Sequence, residues 1–180
     1  MKLAAALVVV AALVAPARAD DGMADGARDT VIATRPLAAI TRGLALAAER
    51  RVATHWSVVV LGGLRGGALG DYSSTTWEGG GELRWWLRER GAIAIAGPYL
   101  AAHASLGRTS LAMSATGAPL GTAWGFEQRV DVGWRFTFRG RVALTPSVGL
   151  GAHEDVDGSG RLAASTRPTV ALGLELGCMF

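Results

Sequence analysis

The sequence predicts an all-β chain: an antiparallel, up-and-down transmembrane β-barrel of about eight strands, preceded by a cleaved signal peptide. Three observations predict it. Apolar residues recur at every second position over long stretches, turn residues punctuate those stretches, and the one long uninterrupted apolar run stands at the start. In a strand, side chains i and i+2 share a face, so a period of two marks a ribbon with one apolar and one polar side. The length of 180 residues suits one domain with a sizeable interior. With 50% hydrophobic residues the chain has ample apolar surface to bury, which excludes disorder, and its 25 glycines follow no three-residue period, which excludes collagen.

The opening run comes first. Met1-Lys2, an uncharged stretch over residues 3–15, and Pro16-Ala17-Arg18-Ala19 before Asp20 supply the basic start, apolar core and small-residue cleavage site of a secretory signal peptide. Thirteen apolar residues are too few to cross about 30 Å of hydrocarbon as a helix. The expected division is therefore a signal peptide over 1–19, a polar, flexible lead-in over 20–29 and the barrel over 30–180. Cleavage removes Lys2 and Arg18, leaving 16 basic against 15 acidic groups, a net charge of +1 with no lysine. That balance points to no nucleic-acid partner. Cys178 is the only cysteine, so no intramolecular disulfide forms, and its place in an alternating run marks it as a small apolar residue.

The clearest ribbon covers residues 123–138. Trp124, Phe126, Gln128, Val130, Val132, Trp134, Phe136 and Phe138 share one face, opposite Gly125, Glu127, Arg129, Asp131, Gly133, Arg135 and Thr137. Its 16 residues far exceed the five or six of an ordinary soluble strand. Over 76–88 the outward set is Trp77, Gly79, Gly81, Leu83, Trp85 and Leu87; over 142–153 it is Val142, Leu144, Pro146, Val148, Leu150 and Ala152. Residues 170–180 place Val170, Leu172, Leu174, Leu176, Cys178 and Phe180 opposite Ala171, Gly173, Glu175, Gly177 and Met179. Residues 54–64 and 93–106 are more uniformly apolar, so the facing of His55 and His103 stays open. Residues 44–52 make a seventh ribbon, and residues 30–40, broken by Pro36, the closing eighth.

Short turns are expected at 51–53, 89–91 and 139–141, and longer exposed loops at 66–75, 107–121 and 154–165. Short on one side and long on the other is the division found in outer-membrane barrels. Alternation by itself fits a soluble sandwich equally well. Strand length, the export signal, glycine on the polar face where a narrow lumen needs small side chains, and the terminal Phe180 tip the reading to the membrane. Trp77, Trp85, Trp124, Trp134, Phe136, Phe138 and Phe180 fall near the ends of outward faces, the place of headgroup-level aromatics.

The inward charges are Glu49, Arg51, Glu78, Glu82, Arg84, Glu127, Arg129, Asp131, Arg135 and Glu175. An eight-stranded barrel is just wide enough for side chains to fill, so this set predicts a salt-bridged plug. A narrow channel through the same network is the alternative. Asp155, Asp157 and Ser159 alternate like the opening of a calcium loop, but Thr166 stands where the closing acid belongs, so a solvated loop tip is expected instead. No pair of histidines stands at metal-ligand spacing, and no cofactor is expected.

The run Val170, Leu172, Leu174, Leu176 to Phe180 resembles the C-terminal assembly signal of bacterial outer-membrane barrels, which implies recognition by the barrel-assembly machinery. Leu44 to Arg50, Trp56 to Val60 and Gly81-Glu82-Leu83-Arg84-Trp85-Trp86 are similar to small uncharacterised barrels of the OmpA/OmpX-like architecture, and the resemblance covers most of 30–180. It implies location in the bacterial outer membrane, contact with its lipid and lipopolysaccharide, and a monomer. It specifies architecture and leaves activity open among anchors, adhesins, lipid-modifying enzymes and others. The expectation is a non-enzymatic structural, membrane-integrity or surface-interaction role. The alternatives are a lipid A-modifying hydrolase built on His153, Glu154 and Ser159 or on His103 and Ser105, a narrow channel, and a soluble periplasmic ligand-binding barrel.

Overall fold

Eight strands account for the alternating segments in a computed structural model, which describes residues 29–37, 43–87, 95–156 and 162–180. They are β1 (Thr30–Thr34), β2 (Gly43–Ala53), β3 (Trp56–Leu69), β4 (Tyr72–Trp86), β5 (Gly97–Met113), β6 (Pro119–Phe138), β7 (Val142–Val156) and β8 (Leu162–Met179). Each pairs antiparallel with the next, and β8 pairs with β1 to close the ring. The expected signal peptide and lead-in lie outside the described residues, apart from Asp29.

The stagger of the ring follows from the register. Starting at Ile32, lateral partners run through Ala48, Val60, Gly81, Ala104, Gln128 and Ala152 to Pro168. Ile32 itself pairs with Cys178, ten residues further along β8 (178 − 168). With about 3.3 Å per residue and about 4.8 Å between strands, that stagger tilts the strands by about 40°. Each lateral row therefore climbs from β1 towards β8. The lower end is the one where β1 begins and β8 finishes.

Alternation resolves as predicted on β4, β6, β7 and β8: the apolar set faces out and the small or charged set faces in. Leu172 is 75% exposed and Val170 74%, whereas Arg84 and Arg135 on the inward face are 1% exposed. His103 faces inward and is buried. His55 lies in the turn between β2 and β3, where its Nδ1 bonds the Trp86 carbonyl oxygen at 2.9 Å.

The connections depart from expectation. Residues 66–75 and 107–121, read as long loops, are almost wholly strand: β3 and β4 meet at Gly70-Asp71, and β5 and β6 at residues 114–118. Gly67, Ser74, Gly107 and Thr109 are small inward residues of continuing strands, and the ladder needs no apolar side chain to persist. Likewise β7 and β8 take up most of 154–165, and residues 157–161 lie outside the described set. β2 runs through 51–53 to a turn at Thr54-His55, and residues 89–91 are outside the described set. Among the described connections, the upper turn at Gly70-Asp71 is as short as the lower turn at Thr54-His55, so the short-below, long-above division does not hold there. The turn at 139–141 is as expected. Arg139 and Gly140 both take positive φ, 51° and 62°, and Arg141 N–H donates to the Phe138 carbonyl at 3.0 Å, which makes a type I′ hairpin turn.

β1 is shorter than the ribbon expected over 30–40. It stops at Thr34; Arg35 N–H still reaches the Ala45 carbonyl at 3.0 Å, and Pro36, lacking an N–H, stands just beyond the ladder. Residues 38–40 are outside the described set.

Candidate functional site

Seven strands, together with Arg35 just past the end of β1, contribute to a buried ion cluster in the lower half of the lumen. Arg84 on β4 is its centre. Its guanidinium donates to Glu49 on β2 at 2.7 Å, to Glu82 at 2.6 Å and to Glu175 on β8 at 2.8 Å. Arg135 on β6 donates to the same Glu49 oxygen and, through Nε, to Thr145 on β7 at 2.9 Å. Arg35, which follows β1, bridges Glu82 and Glu175 from above. Glu49 also accepts from Ser57 on β3, whose oxygen in turn accepts from Trp86 Nε1 at 2.8 Å. Tyr99 on β5 lies under Arg84 at 4.9 Å, and Trp86 under Arg135 at 5.0 Å.

Three carboxylates face three guanidiniums in this cluster. Planar guanidinium forks match several carboxylates at once, which offsets the desolvation cost of burying each charge. Below and around it, Val31, Val59, Ala143 and Met179 form one apolar layer, and Trp86, Ile95, Tyr99 and Ala101 another. The lower lumen is thus filled by side chains, as the narrow ring requires.

The upper lumen is more open. Arg129 holds Glu127 at 2.6 Å and Asp131 at 2.9 Å above the plug. A cavity of about 260 Å³ lies over Arg35, Asp131 and Glu175, and one of about 300 Å³ lies at the mouth beside Ser105, His153 and Asp155. Arg65 and Glu78, paired at 2.8 Å, line both. Of the ten charges expected in the lumen, Glu49, Glu82, Arg84, Arg135 and Glu175 meet in the plug, Glu127, Arg129 and Asp131 sit over it, and Glu78 stands at the mouth. Arg51 shares the inward row of Ser57, but no carboxylate among the described residues pairs with it and its Nε is unbonded.

Several participants escaped the sequence reading. Arg35 follows a strand too short to alternate, and Tyr99 and His103 lie in a segment without alternation. Ser57 and Thr145 are polar residues whose roles only the register reveals.

The chemistry-bearing groups are committed elsewhere. Ser105 donates to Glu78 at 3.2 Å, while His103 Nδ1 bonds Glu82 at 3.2 Å, so hydroxyl and imidazole are held by different carboxylates. His153 faces inward beside Asp155 at 3.3 Å, and Glu154 faces outward; Ser159 and Asp157 are outside the described residues. Arg167 pairs with Asp155 at 2.8 Å. Glu82, His103 and Asp131 approach one another closely enough to hold a metal ion. The donor set fits poorly, because Glu82 already accepts from Arg35 and Arg84, and Asp131 accepts from Arg129 with both oxygens. A divalent cation would meet three guanidiniums.

The outer face is the other extended feature. Among the described residues it carries strand charges only at Arg50, Arg108 and Glu154. Because rows climb towards β8, Arg50 stands level with a lower aromatic row of Trp56, Trp85 and Trp134, and Arg108 and Glu154 with an upper row containing Trp77 and Trp124. Trp56 stacks on Trp85 at 6.4 Å, and Trp134 on Phe136 at 6.1 Å. Eight residues separate Trp77 from Trp85 on β4, and ten separate Trp124 from Trp134 on β6. At a tilt of about 40° the two rows stand about 20–25 Å apart.

Comparison with known proteins adds nothing to this geometry: no family model, no curated protein and no solved structure matches the chain. The outer face and the plug therefore carry the functional reading.

Proposed function

We propose that the chain is a monomeric outer-membrane β-barrel with a closed, polar lumen and a structural, membrane-integrity or surface-interaction role. One observation carries the reading: an outer band without charge among the described residues, about 20–25 Å tall, bounded above and below by tryptophans. Transmembrane barrels present an apolar band of about 25 Å flanked by aromatic girdles. Water would leave that band uncovered, with Leu44 and Val130 60% exposed and Leu150 67%. A soluble ligand-binding barrel would turn the same faces inward. The plug supports a lumen shut to ions, and the separate bonding of Ser105 and His103 supports a non-enzymatic role. The alternating run ending at Phe180 fits delivery by the barrel-assembly machinery.

The test is gel mobility of the protein recovered from outer-membrane fractions, boiled against unboiled. A closed barrel in that fraction migrates differently before and after boiling. A protein that stays in the supernatant with no shift would sink the membrane reading.

A further inference from the structure

We propose that Trp77, Arg108 and Trp124 form a lipid-headgroup site that takes the phosphate monoester of an anionic lipid in the outer leaflet. The proposal rests on the membrane reading above and gives it a specific lipid contact. The three residues are lateral neighbours on β4, β5 and β6, Arg108 pairing with Trp77 on one side and Trp124 on the other. The guanidinium carbon lies 5.7 Å from the Trp124 ring centroid, so the cation sits over an indole face.

Among the described residues, the charge of Arg108 has no acidic counterpart beside it. On the inward face, Arg35, Arg65, Arg84, Arg129, Arg135 and Arg167 pair with carboxylates, and Arg51 pairs with none among the described residues. No carboxylate among the described residues pairs with Arg108. Glu154, the outward acid at a similar height, belongs to β7, with β6 and its Trp124 and Phe126 between. A stacked guanidinium keeps its fork of N–H donors free in the ring plane, and that fork matches phosphate oxygens two at a time.

The rows on either side have the polarity of an amphiphile. Directly above lie three hydroxyls in register, Thr75, Ser110 and Thr122. Directly below lie Gly79, Leu106 and Phe126, with Gly62 beside Gly79 on β3. A side chain added at Gly62 or Gly79 would meet nothing within 4 Å, so the surface is recessed there beside Leu106. Hydroxyls and a bracketed cation above an apolar recess match the polar headgroup and then the acyl chain of a lipid met on descending into a leaflet. Among the described residues, no other strand arginine faces outward along the upper edge.

The experiment uses protein labelled with ¹⁵N at tryptophan and refolded in detergent micelles, with the Trp77 and Trp124 indole signals assigned through Trp77→Phe and Trp124→Phe. Short-chain phosphatidic acid, phosphatidylcholine of the same chain length and inorganic phosphate are titrated in parallel. The expected result is a saturable shift of Trp77 and Trp124 with phosphatidic acid alone, with Trp85 and Trp134 unmoved. Arg108→Gln should weaken the response about tenfold, and Arg108→Lys should restore part of it. Equal shifts with phosphatidylcholine, or a full response in Arg108→Gln, would overturn the site. The same shifts with inorganic phosphate at equal concentration would reduce it to simple anion pairing and overturn the lipid assignment. A protein that never enters lipid takes down both readings, whereas one that inserts without a phosphate-dependent shift takes down this site alone.

Discussion

Arg84 donates through Nη1 to Oε2 of Glu49 at 2.7 Å, joining strands β4 and β2, which are not neighbours in the sheet. Arg135 donates to the same oxygen from β6. One carboxylate thus ties three staves of the ring across its interior. Such cross-bracing resists flattening in a way that the ladder bonds between neighbours do not.

Replacing that carboxylate should be costly. Glu49→Gln keeps the shape and leaves two buried guanidiniums short of charge, so stability should fall by about 3 kcal/mol, read from urea unfolding in bilayers. Arg65→Ala, which breaks an ion pair with substantial solvent contact, should cost less than about 1 kcal/mol in the same assay. Equal losses would count against the plug as the main polar brace.

Gly80 and Gly79 should behave oppositely although they are adjacent. A Cβ at Gly80 would stand 2.6 Å from the Ser105 Cβ and 2.8 Å from its Cα, whereas one at Gly79 meets nothing within 4 Å. Gly80→Ala should destabilise by about 1–3 kcal/mol and Gly79→Ala should stay within about 0.5 kcal/mol. Thermal or urea unfolding of the two variants checks the pair.

The six tryptophans should divide five to one in quenching. Trp86 faces the lumen at 3% exposure, and the other five face out. In single-tryptophan variants placed in bilayers, Trp86 should be shielded from both acrylamide and brominated lipid, while Trp56, Trp77, Trp85, Trp124 and Trp134 respond to the lipid quencher. A Trp86 quenched as strongly as Trp134 would invert the assigned faces.

Planar-bilayer recordings should show no stepwise conductance for the unaltered protein. The lower lumen is occupied by the Arg84 cluster and by the Trp86–Tyr99 contact, with ring centroids 5.0 Å apart. Discrete steps comparable to those of an open barrel would argue that the plug moves aside.

How far these features could be read from residues alone depended on where the outer face is continuously apolar. On β6, alternation from Trp124 to Phe138 declared both faces, and Glu127, Arg129, Asp131 and Arg135 all point inward as that pattern implied. Above the upper tryptophans the constraint lapses, so Gly66, Gly67, Ser73 and Ser74 have the composition of a loop while forming ladder pairs. Tyr99, Ala101 and His103 alternate with Leu100 and Ala102 in a stretch too uniformly small and apolar to reveal its inner side. Arg35 enters the plug from beyond the end of β1, and nothing in a local pattern announces a partner 140 positions away.

The seam between β1 and β8 is short, with four residue pairs from Val31 to Thr34. Every other neighbouring pair can zip from a hairpin, but this one joins segments from opposite ends of the fold, so it closes only after the intervening staves have been laid down. Arg35 follows that seam immediately and reaches Glu175 on the far strand and Glu82 beyond it. The first strand therefore acts as the tongue of a clasp: its brief ladder aligns the two edges, and the guanidinium behind it drops into a waiting carboxylate catch.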